Sequence, residues 1–125
     1  MHNSGIHPGK PRDGVTGEAK AVDPSAKDGH LEVSFFWWMP FTPYDILYTD
    51  YENIAVVHTC LSYGFGLREE QWVIHRKPLN KEANSDEYNA AIEKAKSVLE
   101  SQLPGFNWDE KMRITRQGEA EGCTY

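Results

Sequence analysis

The chain has 125 residues and a formal net charge of −6 at pH 7, enough for one small domain with a single core. Nucleic-acid-binding proteins present a basic face, so this acidic balance argues against a nucleic-acid partner. The apolar run at residues 35–41 contains Pro40 and is far shorter than the roughly 20 residues of a membrane-spanning helix. Met1 is followed by His2-Asn3-Ser4-Gly5, which predicts no secretory signal peptide at this position.

Five segments within the first 76 residues carry strand signals and predict an antiparallel meander, hence a sandwich or a barrel. Residues 1–14 are rich in turn formers and are predicted to be irregular or a remnant strand. The clearest alternation follows, where apolar residues at 31, 33, 35 and 37 alternate with Glu32 and Ser34 and predict a strand with one buried face. The other strands are predicted at residues 15–22, 44–48, 54–59 and 70–76, with a hairpin turn at residues 50–53.

One helix is predicted over residues 84–102, with a short final strand at residues 112–116. Asn84 is a candidate cap, and Glu87 three residues later is its capping-box partner. Apolar side chains fall on one face of this helix at helical spacing: Tyr88, Ala91, Ile92, Ala95, Val98 and Leu99. The whole chain, residues 1–125, is therefore expected to form a single mostly β domain whose meander spans residues 15–76.

Two motifs carry a resemblance to the lipocalin family. The run Thr49-Asp50-Tyr51-Glu52-Asn53 matches the family's second motif, and Arg76 at the end of a later strand matches the third. Gly17-Glu18-Ala19 is similar to the family's Gly-x-Ala strand. The resemblance covers almost the whole chain. It implies an antiparallel up-and-down β-barrel with one C-terminal α-helix packed on its outside, and carriage of a small hydrophobic molecule inside the barrel.

The family's first motif, Gly-x-Trp, occurs nowhere in this sequence. The resemblance therefore implies that the N-terminal strands of the barrel are missing, and a barrel does not close without them. In related proteins the cysteines matched by Cys60 and Cys123 form disulfides with two earlier cysteines that this sequence lacks. Both are disulfide candidates, and the resemblance implies a secreted or luminal protein. The expected explanations are a fragment, an alternative transcript or one piece of an assembly.

The resemblance also implies a ligand-binding cup lined by aromatic side chains and a few polar groups. Trp72 matches a ligand-contacting tryptophan of the family, and a regular strand places it on one face with Ile74. The tyrosine hydroxyls, together with an asparagine that aligns with a pocket asparagine, are candidates for orienting a polar end of the ligand. The predicted lining residues are Asn3, Leu31, Val33, Phe35, Trp37, Tyr44, Tyr48, Trp72 and Ile74. The alternative is that these residues simply pack together as ordinary core.

Two residues of the family motifs are predicted to be structural. An aspartate at a hairpin corner, such as Asp50, accepts backbone N–H groups and fixes the turn. Arg76 is expected to stack over an aromatic ring, although the family's usual tryptophan partner is missing here.

Catalysis and metal binding have weak support in the sequence. His58 and Cys60 lie two residues apart on one strand face, so a Cys/His nucleophile is conceivable, but a disulfide cysteine is the favoured interpretation. The histidines at 2, 7 and 30 lack metal-ligand spacing. No catalytic residue, metal or required cofactor is predicted, and the only expected bound group is a lipid or pigment.

Two functions remain open. The favoured one is non-enzymatic binding and transport of a fatty acid, sterol, retinoid-like compound or tetrapyrrole pigment. The alternative is a structural or interaction subunit whose incomplete barrel is completed by another chain. A separate hypothesis concerns an apolar hairpin tip, which, if exposed, marks peripheral membrane contact or a partner protein, whereas burial under the missing strands is the competing interpretation. Its residues are Phe36, Trp38, Met39 and Phe41.

Overall fold

A computed structural model of the protein describes residues 1–5, 9–11 and 13–115. Its seven strands are β1 (His2–Gly5), β2 (Asp13–Thr16), β3 (Glu18–Ala21), β4 (His30–Ser34), β5 (Thr42–Thr49), β6 (Ile54–Tyr63) and β7 (Gly66–His75). They are followed by helices α1 (Ser85–Gln102) and α2 (Trp108–Lys111). No helix in these ranges has the length and apolar character needed to cross a membrane.

The strands form two sheets. β1 pairs with β2, and the other five form an antiparallel sheet in the order β3-β4-β5-β6-β7, so each strand pairs with its neighbour in sequence. In this register Leu31 of β4 lies opposite Ala21 on one side and Tyr44 on the other. Over the described residues the sheet is not closed, and β3 and β7 are its edge strands. The predicted fold class, a mostly β meander with one long C-terminal helix, is confirmed.

The chain divides into two compact units, of which the first comprises residues 1–45 and 59–70. A single strand was expected at residues 15–22, but Gly17 separates β2 from β3. The backbone N–H of Gly17 donates to the Met1 carbonyl at 2.7 Å, and the Met1 ammonium donates to the Gly17 carbonyl at 2.9 Å. A Cβ at this position would lie 2.5 Å from the Ser34 carbonyl oxygen. This close approach requires glycine at the point where the chain passes from one sheet to the other.

The end of β4 differs from the sequence-based expectation. The alternation predicts a strand through Trp37, whereas β4 ends at Ser34. The hydroxyl of Ser34 donates to the carbonyls of Phe36 at 3.0 Å and Met39 at 3.2 Å, and the Met39 N–H donates to the Phe36 carbonyl at 2.9 Å. These hydrogen bonds close a turn, so the strand placement of Phe35 and Trp37 is wrong.

The second unit comprises residues 46–58 and the chain from residue 71 onward. Its core joins Ile54 and Val56 of β6 to the apolar stripe of α1. From α1 this cluster includes Ala91, Ala95, Val98 and Leu99. Val56, Ala95 and Leu99 are fully buried, so the 3.6-residue periodicity of α1 faces the sheet.

Both ends of the helical region depart from the predictions. The side chain of Asn84 makes no capping hydrogen bond to α1, because its Oδ1 accepts the N–H of Asn80 at 2.7 Å and closes the preceding turn instead. The predicted final strand is absent from residues 112–115, and residue 116 lies outside the described residues. There the Met112 N–H donates to the Trp108 carbonyl at 3.0 Å and closes α2, while the Met112 side chain packs against the core.

Candidate functional site

The corner between β5 and β6 is organised by one carboxylate. Oδ1 of Asp50 accepts the backbone N–H groups of Glu52 at 3.0 Å, Asn53 at 2.8 Å and Ile54 at 3.0 Å. These hydrogen bonds, those from Ile54 and Asn53 above all, hold the pKa of Asp50 below its usual value because they favour the charged form. This is the geometry expected of an aspartate at a hairpin corner.

The neighbouring motif residues complete the corner. The hydroxyl of Thr49 donates to the Ile54 carbonyl at 3.0 Å and accepts the Tyr51 N–H at 3.0 Å. Tyr51 has a φ of +64°, in the left-handed region that non-glycine residues seldom adopt, and its side chain is exposed. The turn therefore holds an aromatic side chain in solvent at some conformational cost.

Arg76 attaches the end of β7 to this corner. Its backbone N–H donates to the Asn53 carbonyl at 2.7 Å, and its Nε donates to the Glu52 carbonyl. The cation–ring contacts that the structure records in the described residues belong to other residues, Lys20 over Phe41 at 4.0 Å and a lysine of α1 over a tyrosine of β5. Stacking of Arg76 over a ring therefore stays a prediction.

In this second unit, α1 covers one face of the sheet and leaves apolar side chains on the other. Val73 packs against the α1 core, and because successive strand residues alternate between faces, Trp72 and Ile74 lie on the opposite face. Their exposed fractions are 39% and 46%. Ala55 and Val57 alternate with the core residues of β6 and so share this face. Two predicted lining residues, Trp72 and Ile74, are thus brought together.

Tyr48 lies on the other face. Its side chain packs against the α1 core, and the Nζ of Lys94 lies 4.6 Å from its ring centroid. Within this unit Tyr48 is therefore not brought together with Trp72 and Ile74, and its role as a lining residue stays a prediction.

Two open clefts flank the Asp50 corner. One of about 450 Å³ separates the corner from α1, and the other of about 400 Å³ lies beside Ile74 and Arg76. The first is lined by Tyr48, Asp50, Asn53, Ile54, His75, Lys77, Glu87, Ala90, Ala91 and Lys94. The second is lined by Thr49, Tyr51, Glu52, Asn53, Ile54, Ala55, Ile74 and Arg76.

Sequence reasoning missed the α1 side of the first cleft. Glu87, Ala91 and Lys94 are separated by four and three residues, a spacing that puts them on one stripe of a helix. That signal was available in the sequence. By itself this stripe is typical of a solvent-exposed helix face. Only the position of the β5–β6 corner beside it shows that it lines a cleft.

In the first unit, three predicted lining residues share a face. Leu31 lies directly opposite Tyr44 in the register, and Val33, two residues further along β4, is buried. Burial raises the pKa of the Tyr44 hydroxyl. Trp37 does not join them, because it lies in the turn after β4 and is 97% exposed. Asn3 lies in β1 opposite Val15, and its side chain is outside the described residues.

The described part of the chain contains neither a disulfide nor a cluster of metal-ligating side chains. Cys60 is half-buried in β6 and forms no disulfide there, while Cys123 lies outside the described residues. Among residues 1–5, 9–11 and 13–115 there is no group of three or more His, Cys, Asp or Glu side chains arranged to hold a metal ion. Nδ1 of His30 lies 2.9 Å from a carboxylate oxygen of Asp45 at the protein surface.

No family model matches the chain. Apolipoprotein D of Macaca fascicularis is 50% identical over 48 residues, 38% of this chain and 25% of that protein. Apolipoprotein D of Mus musculus is 39% identical over 77 residues, 61% of this chain and 40% of that protein. The chain thus spans less than half the length of these relatives.

A solved structure shares the fold. Lobster apocrustacyanin A1 superposes with a TM-score of 0.56 at 22% sequence identity, over 80% of this chain and 51% of that one. At this identity the likeness concerns the fold alone, and that fold is the meander with one long helix described above. Taken together, the sequence matches to apolipoprotein D and this shared fold support an apolipoprotein D-like lipocalin.

Proposed function

We propose that this chain binds and carries a small hydrophobic molecule on the sheet face opposite α1. The observation that carries the proposal is the exposure of Trp72 and Ile74 on that face, where 39% and 46% of each residue's surface is accessible to solvent. Large apolar side chains in this position lose contact with water when an apolar ligand lies against them. The proposed ligand classes are a fatty acid, a sterol, a retinoid-like compound and a tetrapyrrole pigment, and the similarity to apolipoproteins favours a lipid.

The binding energy comes from desolvation. Each Å² of apolar surface removed from water contributes about 25 cal/mol, from which the ordering of ligand and side chains must be subtracted. Ala55 shares the face of Trp72, is partly exposed and adds apolar contact without polar groups, whereas Val57 on the same face is fully buried. In the other unit, Leu31, Val33 and Tyr44 offer a second group of this composition and remain proposed lining residues.

The proposed role is non-catalytic and needs no cofactor, because the bound molecule is itself the cargo. His58 remains outside the proposed binding face, since it continues the alternation of Ile54 and Val56, which face α1. By resemblance to the apolipoprotein D-like lipocalins we propose that the protein works in an extracellular or luminal compartment, where an apolar cargo has to cross water.

Ligand titration of matched variants tests the proposal. Trp72→Ser and Ile74→Ser each remove apolar contact from the proposed face, and we expect each to weaken binding of a fluorescent fatty acid or sterol about tenfold or more. Tyr48→Phe changes a side chain on the α1 face and serves as the control, with affinity unchanged. Equal affinity for all three variants, or loss of affinity only in Tyr48→Phe, would overturn the assignment of the face.

A second candidate function rests on the edge of the sheet. β7 spans ten residues, Gly66–His75, and over the described residues it pairs with β6 on one side only. An edge strand of this length accepts a strand from another chain by β-augmentation, the expected contact of a structural or interaction subunit.

Native mass spectrometry of the protein from its source distinguishes the two. A co-purifying small apolar molecule supports carriage, in a longer polypeptide or in a complex. A second chain bound without any such molecule supports the interaction subunit and argues against carriage.

A further inference from the structure

The cleft between the β5–β6 corner and α1 has no part in the proposed carriage. It lies within the second compact unit, on the face of the sheet that α1 covers, whereas Trp72 and Ile74 lie on the opposite face. Its volume of about 450 Å³ falls in the range of roughly 300–1,000 Å³ that is typical of small-molecule pockets. The cleft is therefore large enough for a second small molecule, separate from the cargo.

The floor of the cleft is apolar. Ile54 of β6 and Ala91 of α1 are buried there, and Tyr48 packs against the cluster that contains them. Ala90, which neighbours Ala91 on α1, lines the cleft and is exposed. Because these side chains offer only a short stretch of apolar surface, the floor suits a ring-sized apolar group and not a long acyl chain.

Two lysine ammonium groups stand at the cleft without a carboxylate partner. Nζ of Lys94 lies 4.6 Å from the ring centroid of Tyr48, a contact that orients the side chain and leaves its charge in place. Lys77, just beyond the end of β7, also lines the cleft and is exposed. The ion pairs recorded among residues 1–5, 9–11 and 13–115 include neither lysine. Both charges are therefore available to an anion.

His75 fixes the turn that carries Lys77. Its Nδ1 lies 3.1 Å from the backbone nitrogen of Lys77 and 2.9 Å from the carbonyl oxygen of the same residue. In one tautomer Nδ1 accepts the N–H, and in the other it donates to the carbonyl, so either form binds the Lys77 backbone. The point from which the lysine side chain extends is thus set before a ligand arrives, which lowers the ordering cost of binding.

The two carboxylates at the cleft differ in their hydrogen bonding. Oδ1 of Asp50 already accepts three backbone N–H groups, which offset its charge. Glu87 of α1 is exposed and has no ion pair with any other residue that the structure describes. Among the described residues, the cleft thus sets two unpaired positive charges against one unpaired negative charge, a balance that favours an anionic ligand.

We propose that this cleft binds a small amphipathic anion. Its ring-sized apolar body lies against Tyr48 and Ala90, and its carboxylate, sulfate or phosphate group pairs with Lys77 and Lys94. Hydrogen bonds from an ammonium group to such oxygens are charge-assisted and stronger than neutral ones, and burial of the apolar body adds to them. The occupant is a free soluble molecule and not a lipid, because the apolar floor is too short for an acyl chain. This site goes beyond the proposed carriage and does not depend on it.

Titration with matched probes tests the proposal. Naphthalenesulfonate and naphthalenemethanol share a ring system and differ in charge, and inorganic phosphate is an anion without an apolar body. Binding is followed in NMR spectra through the backbone amide shifts of Asn53, Ala90 and Ala91, which report on the cleft.

The variants separate the charges of the cleft from charge in general. Lys77→Met and Lys94→Met remove one ammonium group each and keep most of the aliphatic stem, and the exposure of both lysines means that the fold is expected to persist. Lys96→Met is the matched control. It removes the same charge from the same helix, about 200° around the axis from Lys94, where Lys96 pairs with Glu100.

We expect naphthalenesulfonate to bind at the cleft about tenfold more tightly than naphthalenemethanol or inorganic phosphate, and more weakly as salt is added. Lys77→Met and Lys94→Met should each weaken its binding about fivefold, and Lys96→Met should leave it unchanged. Glu87→Gln should tighten binding about twofold, because it removes a negative charge from the cleft.

Absence of binding, or equal binding of the charged and neutral naphthalenes, would overturn the proposal. So would equal affinity in Lys94→Met and Lys96→Met. Weaker binding in Glu87→Gln would show that the ligand presents a cation to this carboxylate and would contradict an anionic ligand. Phosphate affinity equal to that of naphthalenesulfonate would show that the apolar floor contributes nothing, which also contradicts the proposal. Trp72→Ser is expected to keep the affinity of the cleft, so failure here is distinguishable from failure of the carriage proposal.

Discussion

The Nε of Arg76 donates to the backbone carbonyl of Glu52, which links the end of β7 to the corner between β5 and β6. These two residues are separated by 24 positions in sequence. On the other side of the same corner, the Asp50 carboxylate binds three consecutive backbone N–H groups. One arginine and one aspartate thus satisfy carbonyl and amide groups of the four-residue turn at residues 50–53.

Removal of the Asp50 carboxylate is expected to loosen this corner. In Asp50→Ala the N–H groups of Glu52, Asn53 and Ile54 lose their common acceptor, so the midpoint of denaturant unfolding should fall. Asp50→Asn keeps one acceptor oxygen and should lie between Ala and wild type. A midpoint unchanged in Asp50→Ala would show that solvent replaces the carboxylate at no cost.

The same carboxylate predicts a loss of stability in acid. The pKa of Asp50 is lowered in the folded state from an ordinary value of 3.8, chiefly by the hydrogen bonds from Ile54 and Asn53. Its stabilisation is therefore present above pH 3.8 and is lost as the pH falls through the depressed value. Unfolding midpoints measured between neutral and acid pH should converge for wild type and Asp50→Asn at the acid end. If the unfolding midpoints of the two proteins differ by the same amount at every pH, the predicted loss of stabilisation in acid is wrong.

His30 predicts an effect of opposite sign. Its pKa is raised above 6.5, first by the hydrogen bond with Asp45 and then by the charge of Asp28. The contribution to stability is present below pH 6.5 and is lost as the pH rises through the elevated value. NMR titration of the His30 ring should show a midpoint above 6.5 that falls in Asp45→Asn. An identical midpoint in that variant would exclude Asp45 as the cause.

Truncation of the core is expected to cost more than any surface change. Leu99 is fully buried on α1, and Leu99→Ala should lower the free energy of unfolding by about 2–5 kcal/mol through lost burial and a residual cavity. Ser97, two residues earlier and exposed, supplies the control, because Ser97→Ala should change stability by less than about 0.5 kcal/mol. Equilibrium unfolding in urea measures both. Similar losses in the two variants would mean that α1 does not pack on the sheet.

Gly17 is expected to tolerate no side chain. In Gly17→Ala the new Cβ meets the Ser34 carbonyl at 2.5 Å and a ring carbon of Phe35 at 2.6 Å, so the backbones must shift at a cost of about 1–3 kcal/mol. Gly64, in the turn between β6 and β7, has no atom within 4 Å of such a Cβ. Gly64→Ala should therefore leave the thermal midpoint close to that of wild type, and a larger loss there than at Gly17 would refute the close approach.

The features that the sequence predicted well are those with local causes. The helix begins one residue after its predicted start, because a stripe repeating every 3.6 residues identifies a buried helix face without knowledge of its partner. The role of Asp50 could likewise be predicted from the sequence, since all three of its N–H donors lie within four residues of it. The sequence-based prediction placed Trp37 in a strand because the alternation of apolar and polar residues gives no sign of a competing turn. That turn is stabilised here by the Ser34 hydroxyl.

The sequence by itself determined the order from β4 to α1, the motifs that resemble those of lipocalins and the chemistry of the corner, all of which follow from neighbours within a few residues. Tertiary structure alone decided which face each strand residue occupies. A shift of one residue in register moves every side chain to the opposite face, and that register depends on pairing between strands. For this reason only the structure placed Tyr48 against α1 and left Trp72 and Ile74 exposed on the other face.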